Sequence, residues 1–271
     1  MPLRPNNTLT VAHWRRLEAI RTAAVASVSA QWQRSTVDTI SLDETVARVL
    51  AAQRATVAAT DADISLMAGI TTRTATTPIG LNSDRLIGAR ARGGVSLETV
   101  YARSRKVVRE SGFEQGLVHL RTAIALDTQL AQRHAAAAMV QADNRVVGWR
   151  RQVNPVAGGK TCGLCVAAST QTYHKQHLLP IHPACRCTVY PVMSSDPIRG
   201  AVIDRERLDA VYAAAGEDRS RSGLGKVRFS PDDLPAGIDS TAITELGPRV
   251  AWHPEIGEFL TGTRHDSSFS V

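Results

Sequence analysis

Hydrophobic positions in the first part of the chain repeat at helical spacing. Between Val11 and Trp32, apolar residues recur with a period close to 3.6 residues. The members of this repeat are Trp14, Leu17, Ile20, Val25, Val28 and Trp32. Ser41 followed by Glu44 forms a capping box, which predicts a second helix from about Leu42 to Met67. The chain is therefore expected to begin with two long amphipathic helices.

Two further helices are predicted after a polar segment. Residues 69–94 are rich in Thr, Gly and Arg, which favours a loop. Ser96 is placed to cap a third helix through Val108, and Gly112 interrupts it. A fourth helix should end near Ala142 and carry Leu117, Leu120, Ile124 and Leu130. Four such helices fit either a bundle or an elongated stalk, and the pattern leaves both open.

The pattern changes from helices to short strands after the turn signal Asp143-Asn144. Residues 146–153 alternate, which predicts a strand with one face formed by Val147, Trp149, Arg151 and Val153. Residues 166–177 predict a short helix or turn with one small strand, and residues 185–192 predict a closing strand. These elements form one small unit.

The remainder of the chain is predicted to be less regular. A helix is expected over residues 201–215, and the Ser-, Gly- and Pro-rich residues 216–237 predict a linker or a partly disordered segment. Residues 243–260 are spaced like short strands or turns. We therefore predict an α+β protein with a mainly helical N-terminal region (1–144), a small α+β unit (145–195) and a partly irregular C-terminal tail (196–271).

The charge of the chain is basic but unevenly distributed. Of the net +7, residues 1–150 carry 19 basic and 12 acidic side chains, and residues 151–195 carry 4 basic and none that are acidic. Residues 196–271 carry 9 basic and 13 acidic side chains. The first two segments therefore suit a polyanionic partner and the last does not, although a solvated helical surface explains the same excess.

Four cysteines lie within 26 residues, at Cys162, Cys165, Cys185 and Cys187. The spacing is C-x2-C followed by H-x2-C-x-C, with His182 as the histidine. Converging thiolates and an imidazole are the ligands that tetrahedral structural zinc prefers. Five candidates for four positions leave one outside the metal shell. The α+β unit of residues 145–195 is small enough to need an additional source of stability, which a bound Zn2+ would supply.

Two other interpretations of the cysteines remain open. An even number of cysteines permits two disulfides, and a Cys–His pair permits a catalytic thiol. The chain is longer than disulfide-dependent small domains, and residues 1–16 lack an apolar signal core, so we expect a reducing compartment. No stretch approaches the roughly 18 apolar residues that a membrane span needs, so we expect no span. Closely spaced thiols suit chelation better than a single nucleophile.

The segment from Thr161 to Val192 resembles the F-like domain of phage Mu and its relatives, the minor head proteins of tailed bacteriophages. The residues that match are Cys162, Cys165, Pro180 to Pro183, Cys185 to Cys187 and Pro191. Gly148 to Arg151 is similar to the strand that precedes the first cysteine pair in that family. Tyr173 to Lys175 and Leu179-Pro180 look most like versions from phages of actinobacteria. The L-D-G element that many members carry is absent.

This resemblance implies a minor capsid or head-morphogenesis protein, with no enzymatic activity and with structural Zn2+. Its implied partners are the portal protein, the major capsid or scaffolding protein, and double-stranded DNA bound without sequence preference. Its implied location is the capsid interior or portal vertex of the virion, and the host cytoplasm during assembly. The residues expected to face phosphate are Arg85, Arg90, Arg92, Arg103, Arg105, Lys106 and Arg109, with only Glu98 opposing them locally.

Two alternative functions belong to other classes. One is a capsid-maturation protease or another phage-associated enzyme, although the sequence lacks a recognisable nucleophile elbow. The other is a zinc-ribbon nucleic-acid-binding protein, which would show base preference. The knuckles of a ribbon normally both have C-x2-C spacing, whereas the second one here is H-x2-C-x-C.

Overall fold

The described part of the chain has an α+β fold with a helical first half. A computed structural model describes residues 5–152, 161–170, 172–173, 187–193, 205–216, 221–229, 249–253 and 257–261. The chain divides into two compact units. The helical unit contains residues 5–67 and 76–139 among those described, and the mixed unit contains residues 68–75 and the described residues from 140 onward.

Four long helices dominate the first half of the chain. They are α1 (Pro5–Gln33), α2 (Leu42–Thr72), α3 (Leu97–Ser111) and α4 (Phe113–Ala142). All four predicted helices are confirmed, and α2 extends beyond its predicted end at Met67. The predicted loop over residues 69–94 is confirmed from residue 73 onward, with two single 3-10 turns at Ser83–Arg85 and Arg90–Arg92.

Both predicted N-caps form. The backbone N–H of Glu44 donates to Ser41 Oγ at 3.2 Å, and the N–H of Thr99 donates to Ser96 Oγ at 3.1 Å. Each bond satisfies an N–H group that has no carbonyl partner within the first helical turn. Gly112 separates α3 from α4 with φ at +94°, a value that glycine adopts without strain.

The four helices share one hydrophobic core within the helical unit, which supports the bundle alternative. The buried residues of this core are Ala24, Val28, Trp32, Ile40, Val49, Leu97, Val100, Tyr101, Val108, Leu117, Leu120, Ala123 and Ile124. Trp32 is fully buried, and its indole N–H donates to Thr45 Oγ1 at 2.9 Å. The same bond joins α1 to α2, so the polar edge of the indole ring is satisfied.

The mixed unit contains an antiparallel sheet in the order β4-β1-β3-β7-β6. Its strands are β1 (Val146–Gln152), β3 (Thr172–Tyr173), β4 (Thr188–Met193), β6 (Arg249–His253) and β7 (Gly257–Thr261). A separate ribbon pairs β2 (Thr161–Cys162) with β5 (Arg228–Phe229). Three short helices complete the unit, α5 (Gly163–Ser169), α6 (Arg205–Ala215) and α7 (Arg221–Lys226).

The strand predicted over residues 146–153 forms, but its first residues are irregular. Trp149 pairs with Pro191 and Arg151 pairs with Val189, so these two side chains share a face as predicted. The register shifts between Val146 and Gly148, which removes Val147 from the simple alternation. Val153 lies outside the described residues.

Two predictions for the later elements need correction. The closing strand begins at Thr188, so Cys187 precedes it instead of lying within it, and Cys185 lies outside the described residues. The predicted linker over residues 216–237 contains α7 and β5. Leu224 of α7 is buried, and the carbonyl of Val227 accepts from the N–H of Gly163 at 2.9 Å. Tertiary partners therefore order a segment whose composition favours a loop.

The helix predicted over residues 201–215 is confirmed from Arg205 to Ala215. Short strands predicted over residues 243–260 are confirmed as β6 and β7 where the structure describes them. Among the described residues, every helix is either too short or too polar to cross a membrane.

Candidate functional site

The cysteines predicted to bind zinc belong to the mixed unit. Cys165 lies in α5, Cys187 lies directly before β4, and their side chains are 4% and 5% exposed. Cys162 is the last residue of β2 and directly precedes α5. His182 and Cys185 lie outside the described residues. Side chains are thus described for two of the five candidate ligands, and both are buried.

Arg151 lies between Cys187 and Tyr173 on one face of the sheet. Cys187 stands two residues before Val189, the partner of Arg151, so it is the diagonal neighbour of Arg151 across β1 and β4. A guanidinium N–H of Arg151 donates to Cys187 Sγ with an N···S distance of 3.9 Å. On the other side, the guanidinium carbon lies 5.2 Å from the centre of the Tyr173 ring.

Tyr173 connects this face of the sheet to the helix that carries Cys165. Its hydroxyl donates to the carbonyl of Ala168 in α5 at 2.7 Å, and its ring is almost fully buried. Cys187, which directly precedes β4, Arg151 of β1 and Tyr173 of β3 therefore form a row of buried side chains, and Tyr173 links the end of this row to α5. We call this set the Arg151 row.

A metal-binding group of three side chains is not present within the part of the chain that the structure describes. His182, Cys185 and the side chain of Cys162 lie outside the described part of the chain, so the zinc site stays a prediction. The described donors are compatible with zinc, because both thiols are buried in one unit and a cationic N–H is directed at one sulfur.

The basic residues predicted to face phosphate fall into two groups. Arg85, Arg90 and Arg103 are exposed, and no ion pair to them is found among the described residues. The other four contact neighbouring groups in the helical unit. They are Arg92, Arg105, Lys106 and Arg109.

Three basic side chains form a stripe along α3. Arg103, Lys106 and Arg109 follow one another at intervals of three residues, which places them on one side of the helix. Lys106 Nζ lies 3.6 Å from a Glu110 carboxylate oxygen, and an Arg109 guanidinium nitrogen lies 3.0 Å from an Asp38 carboxylate oxygen. Both pairs are exposed, and such pairs contribute little to stability, so the cations stay accessible to solvent and to phosphate. Glu98 is therefore not the only acidic residue that opposes this set.

Arg92 takes part in a buried network that the sequence analysis missed. Its guanidinium donates to Asp127, whose side chain is fully buried, and Tyr101 donates its hydroxyl to the other carboxylate oxygen. Burial raises the pKa of Asp127, and the hydrogen bonds and charge of Arg92 offset part of that rise. Burial and the neighbouring Asp127 also raise the pKa of Tyr101, which keeps its hydroxyl protonated as a donor.

A signal for this network exists in the sequence. Asp127 lies three residues after Ile124 and four before Ala131, so it occupies the apolar stripe of α4. An acidic residue in a buried stripe requires a partner, because an uncompensated buried charge is strongly unfavourable. Identifying Arg92 as that partner needs the fold, since the two residues are 35 positions apart.

Two other carboxylates connect separate segments of the helical unit. Asp61 accepts backbone N–H bonds from Ile79 at 3.0 Å and from Gly80 and Leu81 at 2.9 Å each. Asp63 contacts His13 Nδ1 and an Arg16 guanidinium nitrogen, each at 2.9 Å. Asp61 thus positions a loop, and Asp63 joins α2 to α1.

A serine–histidine pair occurs between α3 and α4. Ser104 Oγ lies 2.8 Å from His119 Nδ1. Ser104 is fully buried, so its hydroxyl is not presented to a substrate, and the pair serves to connect two helices. Ser104 is therefore not placed to act as the nucleophile of a Ser–His pair.

Comparisons with protein-family models, with curated proteins and with solved structures find no match to this chain.

Proposed function

We propose that this chain is a structural and assembly protein of a tailed-phage head, with a structural zinc site in its mixed unit. The observation that carries the proposal is the pattern C-x2-C…H-P-x-C-x-C over residues 162–187, placed after a long helical region. The same order of parts is found in the minor head proteins that the sequence resembles. In this proposal the helical unit contacts the portal, and the major capsid or scaffolding protein.

The described architecture is consistent with a role in assembly. The helical unit has its own hydrophobic core and offers exposed helix faces, of which the basic stripe on α3 is one. Cys165 and Cys187 are buried in the mixed unit, where a bound structural metal would add folding free energy. Residues 1–195 supply the excess of positive charge, as expected of a protein beside packaged DNA.

The location of the protein is the direct test of this function. Antibodies raised against the purified chain would be used to probe gradient-purified heads and procapsids of the phage whose genome encodes it. We expect a signal in both particles and co-purification of the portal protein with the tagged chain. Absence from both particles would contradict the proposal, and cleavage of the major capsid protein by the purified chain would favour the protease alternative.

Zinc content is tested on the full-length protein purified under reducing conditions. Elemental mass spectrometry should find about one zinc ion per chain, as a single four-ligand site requires. A chain without metal, whose four thiols react as disulfides or as an activated cysteine, would contradict the zinc site and restore the other two interpretations of the cysteines.

Binding to DNA is tested with two triple variants of equal charge change. The first replaces Arg85, Arg90 and Arg103 by Gln, and the control replaces the exposed Arg15, Arg34 and Arg73 by Gln. We expect the first to weaken binding to duplexes of any sequence and to lower the salt slope by about 0.9 for each phosphate that is no longer neutralised. Equal effects of both triples would indicate net charge alone, and a base preference would favour the zinc-ribbon alternative.

A further inference from the structure

The side chain of Arg151 is buried in the mixed unit although it carries a permanent positive charge. It is 5% exposed, and its strand β1 lies between β4 and β3. A buried guanidinium is costly unless a negative or polarisable partner faces it, because desolvation of the charge opposes burial. In the structure, one of its N–H groups is directed at Cys187 Sγ, at 3.9 Å.

The sequence around Arg151 makes thiolates a suitable counter-charge. Residues 151–195 contain all four cysteines, and Cys187 is the one that the Arg151 guanidinium contacts. A zinc ion bound by three or four thiolates carries a net negative charge, since each coordinated thiol has lost its proton. A guanidinium N–H that donates to a coordinating sulfur compensates this charge and orients the ligand, as the outer-shell partners of metal ligands commonly do.

The neighbours of Arg151 hold its guanidinium in place. Tyr173 covers one side at 5.2 Å, and the Tyr173 hydroxyl is bonded to Ala168 in the helix that carries Cys165. The pairing of Arg151 with Val189 sets the diagonal relation to Cys187 through the backbone of the sheet. The geometry therefore fixes the donor before any metal is bound.

We propose that Arg151 is the positioning residue of the zinc site, donating an N–H to Cys187 Sγ and compensating the negative charge of the metal-bound thiolates. This inference rests on the zinc site in the proposed function and assigns a role to a residue outside the ligand set. Tyr173 supports Arg151 in this role by holding its guanidinium against the sheet.

The test measures zinc affinity of the full-length protein by competition with a chromogenic chelator. Three variants are compared with the wild type: Arg151→Met, Arg151→Lys and Arg150→Gln. Methionine has a similar volume and packs on Tyr173, so a merely structural arginine would tolerate it. Arg150 is the control, because it is also buried and is adjacent in β1 but points to the opposite face of the sheet.

We expect Arg151→Met to weaken zinc binding by about 10- to 100-fold, the range typical of losing an outer-shell partner. Arg151→Lys should recover most of this loss, and Arg150→Gln should change the affinity by less than about 10-fold. With Co2+ in place of zinc, the thiolate-to-metal charge-transfer absorption should shift in Arg151→Met and not in Arg150→Gln.

The outcomes separate this inference from the proposal on which it depends. A wild-type protein that binds no zinc overturns both. A wild-type protein that binds zinc, with unchanged affinity and unchanged Co2+ absorption in Arg151→Met, overturns the role of Arg151 alone. If Arg151→Met does not fold, the zinc affinity of Arg151→Lys decides. This variant retains the positive charge, so a loss of zinc affinity of more than about 10-fold would contradict charge compensation.

Discussion

At Gly116, helices α3 and α4 lie so close together that there is no room for a side chain. A Cβ atom at this position would lie 2.1 Å from Val108 Cγ2 and 3.1 Å from Val108 Cα. Side chains do not tolerate the shorter distance, so even a methyl group forces Val108 or a whole helix to move. The absence of a side chain at Gly116 therefore determines how closely the two helices pack.

We expect Gly116→Ala to lower the free energy of unfolding by up to about 2 kcal/mol, which is the overpacking cost of about 1–3 kcal/mol less the helix propensity that alanine gains. Alanine favours an isolated helix by about 1 kcal/mol relative to glycine, so the sign of the change is informative. Urea denaturation measures it. The double variant Val108→Ala/Gly116→Ala should be more stable than the sum of the single effects, because it removes the methyl group that clashes. A stabilising Gly116→Ala would show that moving Val108 or the helices costs less than the roughly 1 kcal/mol that alanine gains in helix propensity.

The carboxyl group of Asp127 makes the stability of the helical unit depend on pH. Its folded-state pKa is raised from the ordinary value of 3.8, so the folded protein binds this proton more tightly than the unfolded chain. The contribution to stability is complete below pH 3.8 and declines as the pH rises through the folded pKa. Arg92 and Tyr101 remain as donors to the ionised form.

Asp127→Asn removes this titration and keeps one oxygen, which can accept from either Arg92 or Tyr101, while the amide NH2 group that replaces the other oxygen cannot accept. We expect the unfolding free energy of the wild type, relative to Asp127→Asn, to fall as the pH rises from about 4 toward neutral. Urea denaturation of both proteins at a series of pH values measures the difference. A difference that increases with pH would mean that the pKa of Asp127 is lowered by its hydrogen bonds.

Single polar side chains also position whole elements. Ser41 and Ser96 start two helices, and Asp61 holds the backbone of residues 79–81 through three N–H bonds. Because the segment from residue 73 to residue 82 contains no helix or strand, these bonds provide order that secondary structure does not.

We expect Asp61→Ala to release this loop. Amide hydrogen exchange at Ile79, Gly80 and Leu81 should become faster, because their N–H groups lose the carboxylate acceptor. Amide hydrogen exchange in α3 should be the same as in the wild type. Asp84→Ala is the matched control, since it also removes a carboxylate but one that pairs with Arg54 on the surface. Equal protection of the three amides in both variants would contradict the role of Asp61.

The segment between residues 216 and 237 shows why composition alone misjudges an element. Gly216, Ser222 and Gly223 predict a linker, yet α7 and β5 form within it. Leu224 is buried, and β5 pairs with β2, which directly precedes the helix of Cys165. The strand that pairs with β5 and the helix α5, which packs against α7, lie more than 50 residues away, so no local pattern contains these partners.

At the scale of the whole molecule, the two units should respond differently to loss of metal. Structural zinc supplies folding free energy on the order of 10 kcal/mol in isolated fingers, whereas the helical unit has its own hydrophobic core. We expect chelation under reducing conditions to increase amide exchange in β1, β4 and α5. Residues 5–67 and 76–139 should keep their protection.

Hydrogen exchange followed by mass spectrometry resolves the two units in one sample. Readdition of zinc should restore protection, and magnesium, which prefers oxygen ligands, should not. Unchanged exchange in the mixed unit after complete removal of metal would show that its fold does not depend on zinc. Loss of protection throughout the chain would show that the helical unit depends on the mixed unit.

The sequence by itself determined the helices, their N-caps and the change from helical to strand periodicity near residue 143, because each depends on residues within one or two turns. It also placed Trp149 and Arg151 on one strand face. The zinc ligands and the phage-head function stay predictions.

Only the tertiary structure decided which side chains meet. Arg92 was predicted to face phosphate, yet it pairs with Asp127 at a separation of 35 residues, and Arg151 meets Cys187 at a separation of 36. Both contacts join segments that folding brings together, and their partners are chosen by burial and charge compensation in three dimensions. Local periodicity carries no information about either choice.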